Sequence, residues 1–528
     1  MFLSSAEQAE LAEIQQLLRA REGVDYTRYR YDPGGFIVDF FGETLTPDLE
    51  EVCHSVVNYS VTIAQSGNGT GKSYLASRLG TWFYKTQIQP QVYCAAAPPE
   101  SNLRNIVWSE ISYLVGNFPT MFADSKPKDL RVERSAREFM TGVSIPAAGT
   151  DETKQARFSG KHAPSLFFIV DEADAVPDPV FSGIETCLSG GFERLLCMFN
   201  PRQRMGSVYR MIKSGQANVV KLSALNHPNV TTGENVIPGA VSREKTLRRI
   251  AQWTRPLQDG EVVDKRCFQV PPYLENLTPT DQRGKPLAPI LPGYRRIVEH
   301  QFSHVVLGEY PAQSEDQLIS EEWIDKARSR YDLYVTEHGE VPPKHIRCIA
   351  GVDVAEKGPD EAVLAKRYAN LLLPLISWEG KTDPIEVGDL VAAALEGDNV
   401  ASIKVEGTGV GSGTAPYLAR KNLPAVTVKV ASSPTEATAS DLGQFGLVRD
   451  QLLWAVREWL RNDLAMLPPD PYLIEELTVL TWELDQRGKI KVMPTDEIKA
   501  LLGRSPDRLM AVAMGFYTTG KFSNLDLS

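Results

Sequence analysis

The chain has 528 residues, 42% of them apolar and 23% charged, with a net charge of −11. That length exceeds one ordinary core and predicts two or three domains, and the composition is that of a water-soluble globular protein. No run of about eighteen apolar residues exists to cross a membrane, and the six cysteines (53, 94, 187, 197, 267, 348) lack a C-x-x-C pair or a histidine cluster, so neither a zinc site nor a disulfide framework is indicated and they read as core thiols.

In chain order, MFLSSAEQAELAEIQQLL at the N-terminus predicts an acidic amphipathic helix. It has neither the basic flank nor the small-residue cleavage site of a signal peptide, so the expected setting is the cytoplasm. The Gly/Pro/aromatic stretch YRYDPGGFIVDFFGE follows, and residues 1–45 are expected to form an appendage. From 46 to 225 strand and helix patterns alternate, which predicts a mainly parallel sheet covered by helices. The predicted strands are 91–97, 142–148, 166–172, 194–201 and 217–224, together with a short approach over 61–64.

That approach leads into SGNGTGKS, residues 66–73, and a helix continues from Tyr74. Strand, glycine-rich loop and helix in this order make a phosphate cradle. Gly67, Gly69 and Gly71 turn backbone amides inward, with Ser66, Asn68 and Thr70 between and beside them. Lys72 reaches the outer phosphates and Ser73 holds a magnesium ion. The usual first glycine is replaced by Ser66. Downstream, LFFIVDEAD at 166–174 is an apolar strand ending in two acids, Asp171 to hold magnesium and Glu172 to polarise the attacking water. The ordinary alternative is a glycine-rich surface turn beside an unrelated buried strand.

Residues 226–335 are polar and proline-bearing, with a helix predicted at 242–253, and are expected to form a lid and a linker. Between 201 and 255 ten basic residues face two acidic ones, which predicts either a DNA-holding surface or a solvated helical face. A second domain is expected over 336–528. RCIAGVDVA at 347–355 and the apolar run at 362–378 read as adjacent antiparallel strands, 383–397 as a helix, 401–407 as a buried strand, and 445–460 and 505–520 as helices.

Three acids stand at element edges in this second domain: Asp353 in a strand, Glu406 at a neighbouring strand end, and Asp507 in the first turn of the last major helix. Converging, they suit a pair of divalent ions that activate water for phosphodiester cleavage. Asp360 is a further candidate ligand. Taken singly each acid reads as a cap or surface carboxylate, Asp507 above all. The run EGTGVGSG at 406–413 lacks dinucleotide-binding spacing and reads as a glycine turn beside Glu406.

An ATP-site loop followed by an acid trio resembles the large terminase subunit of tailed double-stranded DNA bacteriophages. APPESNLRNIVWSEI at 97–111, FNP at 199–201, HPNV at 227–230, VVLGEYP at 305–311 and LLGRSPDRLMAVAMG at 501–515 are similar in kind and order to terminase segments. The resemblance implies an α/β chain, a P-loop (ASCE/RecA-like) ATPase with a lid followed by an RNase H-like nuclease. It implies ATP-driven translocation of double-stranded DNA and endonucleolytic cutting of concatemers, with ATP and Mg2+ as cofactors and Mn2+ acceptable at the nuclease.

It further implies Asn200 as a coupling residue, Asp353, Glu406 and Asp507 as nuclease ligands, and as partners the portal protein of the procapsid, a small terminase subunit and further copies in a ring. The implied setting is the host cytoplasm, docked transiently on the procapsid and absent from the mature virion, with no membrane partner. Two departures stand out. No basic residue lies inside the loop to serve as an arginine finger, which leaves Arg202, Arg204 or an arginine from an adjacent subunit. Thr495 stands where many relatives carry a lysine, with Lys489, Lys491 and Lys499 nearby. The rival readings are a helicase-like ATPase and nuclease of DNA repair or recombination, and an ATP-driven remodeller whose second domain only binds.

Overall fold

A computed structural model describes residues 25–518 apart from 147–148, 313–315, 355–360, 382, 408, 435–438, 441–442, 463 and 486. The expected helix over 1–18, Asp360 and the end of the 505–520 helix lie outside the described residues. The chain divides into two units, Met1–Ala312 and Gln313–Ser528.

In the first unit, helices α1 (Pro33–Phe41) and α2 (Pro47–Asn58) each start on a proline behind a side-chain cap, Asp32 and Thr46 respectively. Of the expected appendage, the described residues 25–45 contribute to the core. Phe36 and Ile37 are fully buried, and the Trp82 indole donates to the Tyr29 carbonyl at 2.7 Å. Each such side chain contributes on the order of 2 kcal/mol by burial, enough to fix 25–45 against the helix after the loop, α3 (Lys72–Thr86).

The sheet uses β1 (Val61–Ser66), β2 (Pro90–Ala96), β3 (Lys126–Lys128), β4 (Arg131–Ser135), β5 (Glu138–Gly142), β6 (Ser165–Asp171), β7 (Phe192–Phe199) and β8 (Asn218–Leu222). Their order is β3-β4-β5-β2-β6-β7-β1-β8. The six strands from β5 to β8 pair in parallel, while β3 and β4 add an antiparallel edge. The strand expected at 142–148 instead ends at Gly142, because the buried residues that fill the sheet are Phe139 and Met140. β7 separates β1 from β6, the ASCE-type order, so three strand ends deliver Ser66, Asp171 and Phe199 to one edge.

The lid carries helix α4 (Arg243–Trp253) and a small antiparallel sheet of β9 (Thr254–Pro256), β10 (Cys267–Gln269) and β11 (Tyr294–Ile297), in the order β10-β11-β9. The basic excess counted over 201–255 does not form one free face. Arg210 pairs with Asp178, Lys221 with Glu309 and Arg255 with Glu261, all three acids lying outside the segment. Arg243 is spent on the Val230 carbonyl, and Arg249 lies 5.5 Å over the Trp253 ring.

The second unit begins at 313 rather than 336. Helix α5 (Glu321–His338) buries Ile324, Ala327 and Tyr331 among residues of that unit, so the apolar stripe of the expected linker sets the boundary. Its sheet contains β12 (Cys348–Asp353), β13 (Glu361–Tyr368), β14 (Leu371–Leu372), β15 (Ile376–Glu379), β16 (Val400–Glu406) and β17 (Ala425–Val428), in the order β14-β13-β12-β16-β17 with β15 also on β13. β13 is antiparallel to β12, whereas β12, β16 and β17 run parallel. This is the RNase H-like arrangement. The unit's helices include α6 (Val448–Arg461), α7 (Pro471–Thr478) and α8 (Asp507–Met514), which contribute buried apolar side chains to one cluster.

Candidate functional site

The loop between β1 and α3 turns at Gly69 (φ 76°) and Gly71 (φ 97°), conformations that favour glycine. A side chain at either would also meet Val241 or Leu49 at 3.2 Å. Ser66 departs from the usual glycine without strain because it is the last strand residue. Its buried hydroxyl lies 2.8 Å from the Thr70 hydroxyl and donates to the Gly67 carbonyl at 2.7 Å, which knots the loop. The loop is also tied outward. Gly67 N donates to the Leu222 carbonyl and Asn68 N to the Val305 carbonyl, both at 2.8 Å, and Val241 N donates to the Gly69 carbonyl at 2.9 Å. The N-terminus of α3 therefore opens onto a cradle held by β8 and the lid, with unpaired helix amides and a positive dipole end suited to a phosphate.

Strand order explains the next contacts. Lys72 Nζ donates to Glu172 Oε1 at 2.7 Å and to Asn200 Oδ1 at 2.6 Å. Asn200 Nδ2 reaches back to the Ser66 carbonyl at 2.5 Å, so this side chain after β7 bridges both ends of the loop. Ser73 Oγ donates to Asp171 Oδ2 at 3.0 Å. A hydroxyl and a fully buried carboxylate at this separation are hard oxygen donors of the kind magnesium takes. Burial pushes the Asp171 carboxyl up and the Lys72 charge opposes it. Glu172 sits at φ 47°, a left-handed turn that ends the strand.

Asp174, which the sequence pattern does not single out, is pushed up to about 6 by burial and then by the Glu172 charge, while Arg202 and Lys72 act against the shift. Of the two arginine-finger candidates, Arg204 donates to the Pro311 carbonyl at 2.8 Å, and Arg202 is exposed near Asp174. A cavity of about 640 Å³ runs from the loop between residues 42–49 and 236–240. Nothing in the spacing of those residues announces it. Tyr74 and Glu43 line it, held by a 2.6 Å hydrogen bond between them and by Arg78 on Glu43 at 2.7 Å.

In the second unit the parallel pairing of Val352 with Val405 brings the β12 and β16 ends together, so Asp353 and Glu406 are neighbours. Gly351 sets the third member. A methyl there would fall well inside contact distance of the Ala511 carbonyl and 2.8 Å from Gly515 N, so only glycine lets α8 lie this close. Four helix residues from Ala511 back to Asp507 span about 6 Å, and two strand residues from Gly351 to Asp353 span about 6.6 Å. Asp507 therefore comes level with Asp353. Burial pushes the Asp353 carboxyl well above its ordinary range, with further upward pressure from the Glu406 charge, a hydrogen bond to Glu406 and the Asp507 charge.

Asp507 is not consumed as a helix cap. It occupies the first helical position after Pro506, and Glu476 of α7 caps the helix by accepting from Leu509 N at 2.7 Å. One Asp507 oxygen accepts from Glu361 N at 3.1 Å. Three carboxyls so packed suit divalent cations, which are hard ions that take oxygen donors. Among the described residues, however, no group of three acids, histidines or cysteines has ready-made ligating spacing.

Gly411 lies against the Glu406 carbonyl, which is the close approach expected of the glycine turn. Two of the three lysines near Thr495 are otherwise engaged, Lys491 with Glu483 at 3.1 Å and Lys499 with Ser505 at 3.0 Å, while Arg449 donates to the Thr495 hydroxyl at 2.8 Å.

No family model matches the chain. A stretch of 186 residues, 34% of the chain, is 30% identical to the probable terminase, large subunit, of Enterobacteria phage P7 and covers 37% of that protein, well under two thirds of its length. Among solved structures, the HK97 bacteriophage large terminase aligns with 92% of this chain and 98% of its own at 12% identity and a TM-score of 0.42. The large terminase of a thermophilic bacteriophage aligns with 89% and 98% at 11% identity and 0.33. The nuclease domain of the large terminase subunit gp2 of bacterial virus Sf6 covers 38% of this chain and 99% of its own at 20% identity and 0.32.

Proposed function

We propose that the chain is the large terminase subunit of a tailed DNA virus, an ATP-driven motor that translocates double-stranded DNA into a procapsid and a metal-dependent endonuclease that cuts the concatemer. The observation that carries this reading is that one polypeptide holds both the Lys72–Glu172–Asn200 triad at a phosphate loop and the Asp353–Glu406–Asp507 cluster on an RNase H-like sheet.

In the first unit Lys72 leaves Glu172 and Asn200 to take the outer phosphates of ATP, and Ser73 with Asp171 holds magnesium. Glu172, released from the lysine, orients the attacking water and accepts its proton. Asn200, bonded to the start of the loop, passes the change in phosphate occupancy along β7. The Asn68–Val305 and Gly69–Val241 hydrogen bonds pass it to the lid. Arg202, exposed beside Asp174, is the better candidate to meet transition-state charge, in its own subunit or across a ring.

In the second unit Asp353, Glu406 and Asp507 hold the divalent ions. Bound there, such ions supply an activated water and stabilise the leaving oxygen of the phosphodiester. The three carboxylates would hold the ions and set their spacing. The reading includes as partners the portal protein, a small terminase subunit and further copies of this chain, at work in the host cytoplasm.

Two variants test it. Lys72→Ala abolishes ATP turnover and packaging and leaves metal-dependent plasmid cleavage intact, and Asp353→Ala does the reverse for cleavage. Translocation by the first, or unchanged nicking by the second, refutes the respective half.

A further inference from the structure

The nuclease reading leaves unexplained a set of charged side chains behind Asp507. Arg508, the next residue, grips Glu361 with two nitrogens, Nε to Oε1 at 2.7 Å and NH2 to Oε2 at 3.2 Å. Its third nitrogen donates to Asp470 at 2.5 Å, and its guanidinium lies 4.9 Å over the Tyr472 ring. Glu361 is the first residue of β13, and its own amide is the group that donates to Asp507 Oδ2. Asp470 caps α7 by accepting from the amides of Tyr472 and Leu473 at 3.0 Å. On the other side of the same turn, fully buried Glu476 caps α8 and pairs with Arg504, which also binds buried Glu475 at 2.9 Å.

The chemistry of this frame is specific. A planar fork on a carboxylate fixes distance and orientation together, which a lysine point charge does not. Arg508 thus locks the start of β13 to the first turn of α8, and the locked residue presents its amide to one Asp507 oxygen. The fork also keeps the Glu361 carboxylate occupied. Released, that carboxylate would stand beside the trio as a fourth negative charge able to draw the cation out of register.

The geometry points to Arg508 as a positioning residue for the divalent-cation site, acting through Glu361 on the orientation of Asp507. This rests on the nuclease reading above. Replacing groups that orient a metal ligand typically costs about 10- to 100-fold in metal affinity, and the same range is expected here.

The test is Mn2+ binding to the full chain, followed by electron paramagnetic resonance of the free ion, with the melting temperature recorded in chelator. Arg508→Gln is expected to weaken Mn2+ binding about tenfold or more while cleavage at saturating Mn2+ stays within a few-fold of the parent. Arg508→Lys, which keeps the charge and loses the fork, is expected to fall between. Parent-like Mn2+ affinity in Arg508→Gln overturns the inference. Should that variant fail to fold, Arg508→Lys decides: intermediate affinity supports the clamp, parent-like affinity overturns it. Parent protein with no Mn2+ binding sensitive to Asp353→Asn overturns the nuclease reading, and the clamp with it.

Discussion

Replacing Glu172 by glutamine separates two roles that the geometry at the phosphate loop combines. Lys72 is held by Glu172 at 2.7 Å and by Asn200 at 2.6 Å, with side-chain exposures of 14% for the lysine and 24% for the glutamate. ATP must take the ammonium away from that carboxylate. The ammonium keeps its charge and a hydrogen bond to the amide, so the substitution removes only the ion-pair contribution of a partly exposed pair, about 1 kcal/mol, and lowers the cost of releasing Lys72 by that amount. That corresponds to roughly fivefold tighter ATP binding. The same substitution removes the base that accepts the water proton, which costs about 10²- to 10⁴-fold in turnover. Titration with a fluorescent ATP analogue and a phosphate-release assay read the two effects on one sample. Weaker binding in Glu172→Gln, or turnover within tenfold of the parent, refutes the reasoning.

The acid cluster gives a stability prediction whose sign follows from its titration. The folded-state pKa of Asp353 lies well above 3.8, so over the window between those values the folded chain binds more protons than the unfolded one and stability falls as pH rises. Asp353→Asn removes that dependence. In chelator at pH 8 it should stabilise the second unit by about 1–2 kcal/mol, a rise of roughly 2–8 °C in its calorimetric transition, while abolishing cleavage; a lower transition temperature contradicts the assignment. Gly351→Ala drives a methyl into the Ala511 carbonyl and should cost about 1–3 kcal/mol. Cleavage should fall as α8 is displaced while ATP turnover in the first unit is unchanged, and intact cleavage would show that the close approach of helix to strand is dispensable.

What the sequence discloses and what it hides divide along a physical line. The phosphate loop is legible because glycine spacing and a following helix are local, and Asp171, Asp353 and Glu406 because an acid ending a buried apolar strand is anomalous without a partner. Asn200 is placed by resemblance, and its reason, a strand inserted between β1 and β6, is a matter of topology. Polar, exposed Lys126–Lys128 gives no strand signal, since it forms only by pairing with β4. The boundary at 313 escapes the sequence because the apolar stripe of α5 does not say which core it enters. Arg508, Glu361, Glu476 and the cavity beside the loop are invisible for the same reason: their partners lie 28 to 147 residues away in sequence, or, for the cavity, on separate segments of the first unit.

An ATP site in the first unit and a cation-dependent cutting site in the second can be located together in an anomalous-scattering map from crystals of the full chain grown with Mn2+ and a non-hydrolysable ATP analogue. One manganese peak is expected between Ser73 and Asp171 beside the analogue, and at least one more among Asp353, Glu406 and Asp507, with the Asp353–Glu406 hydrogen bond opened. Manganese at the nucleotide alone, with those two carboxyls still closed on each other, would contradict it.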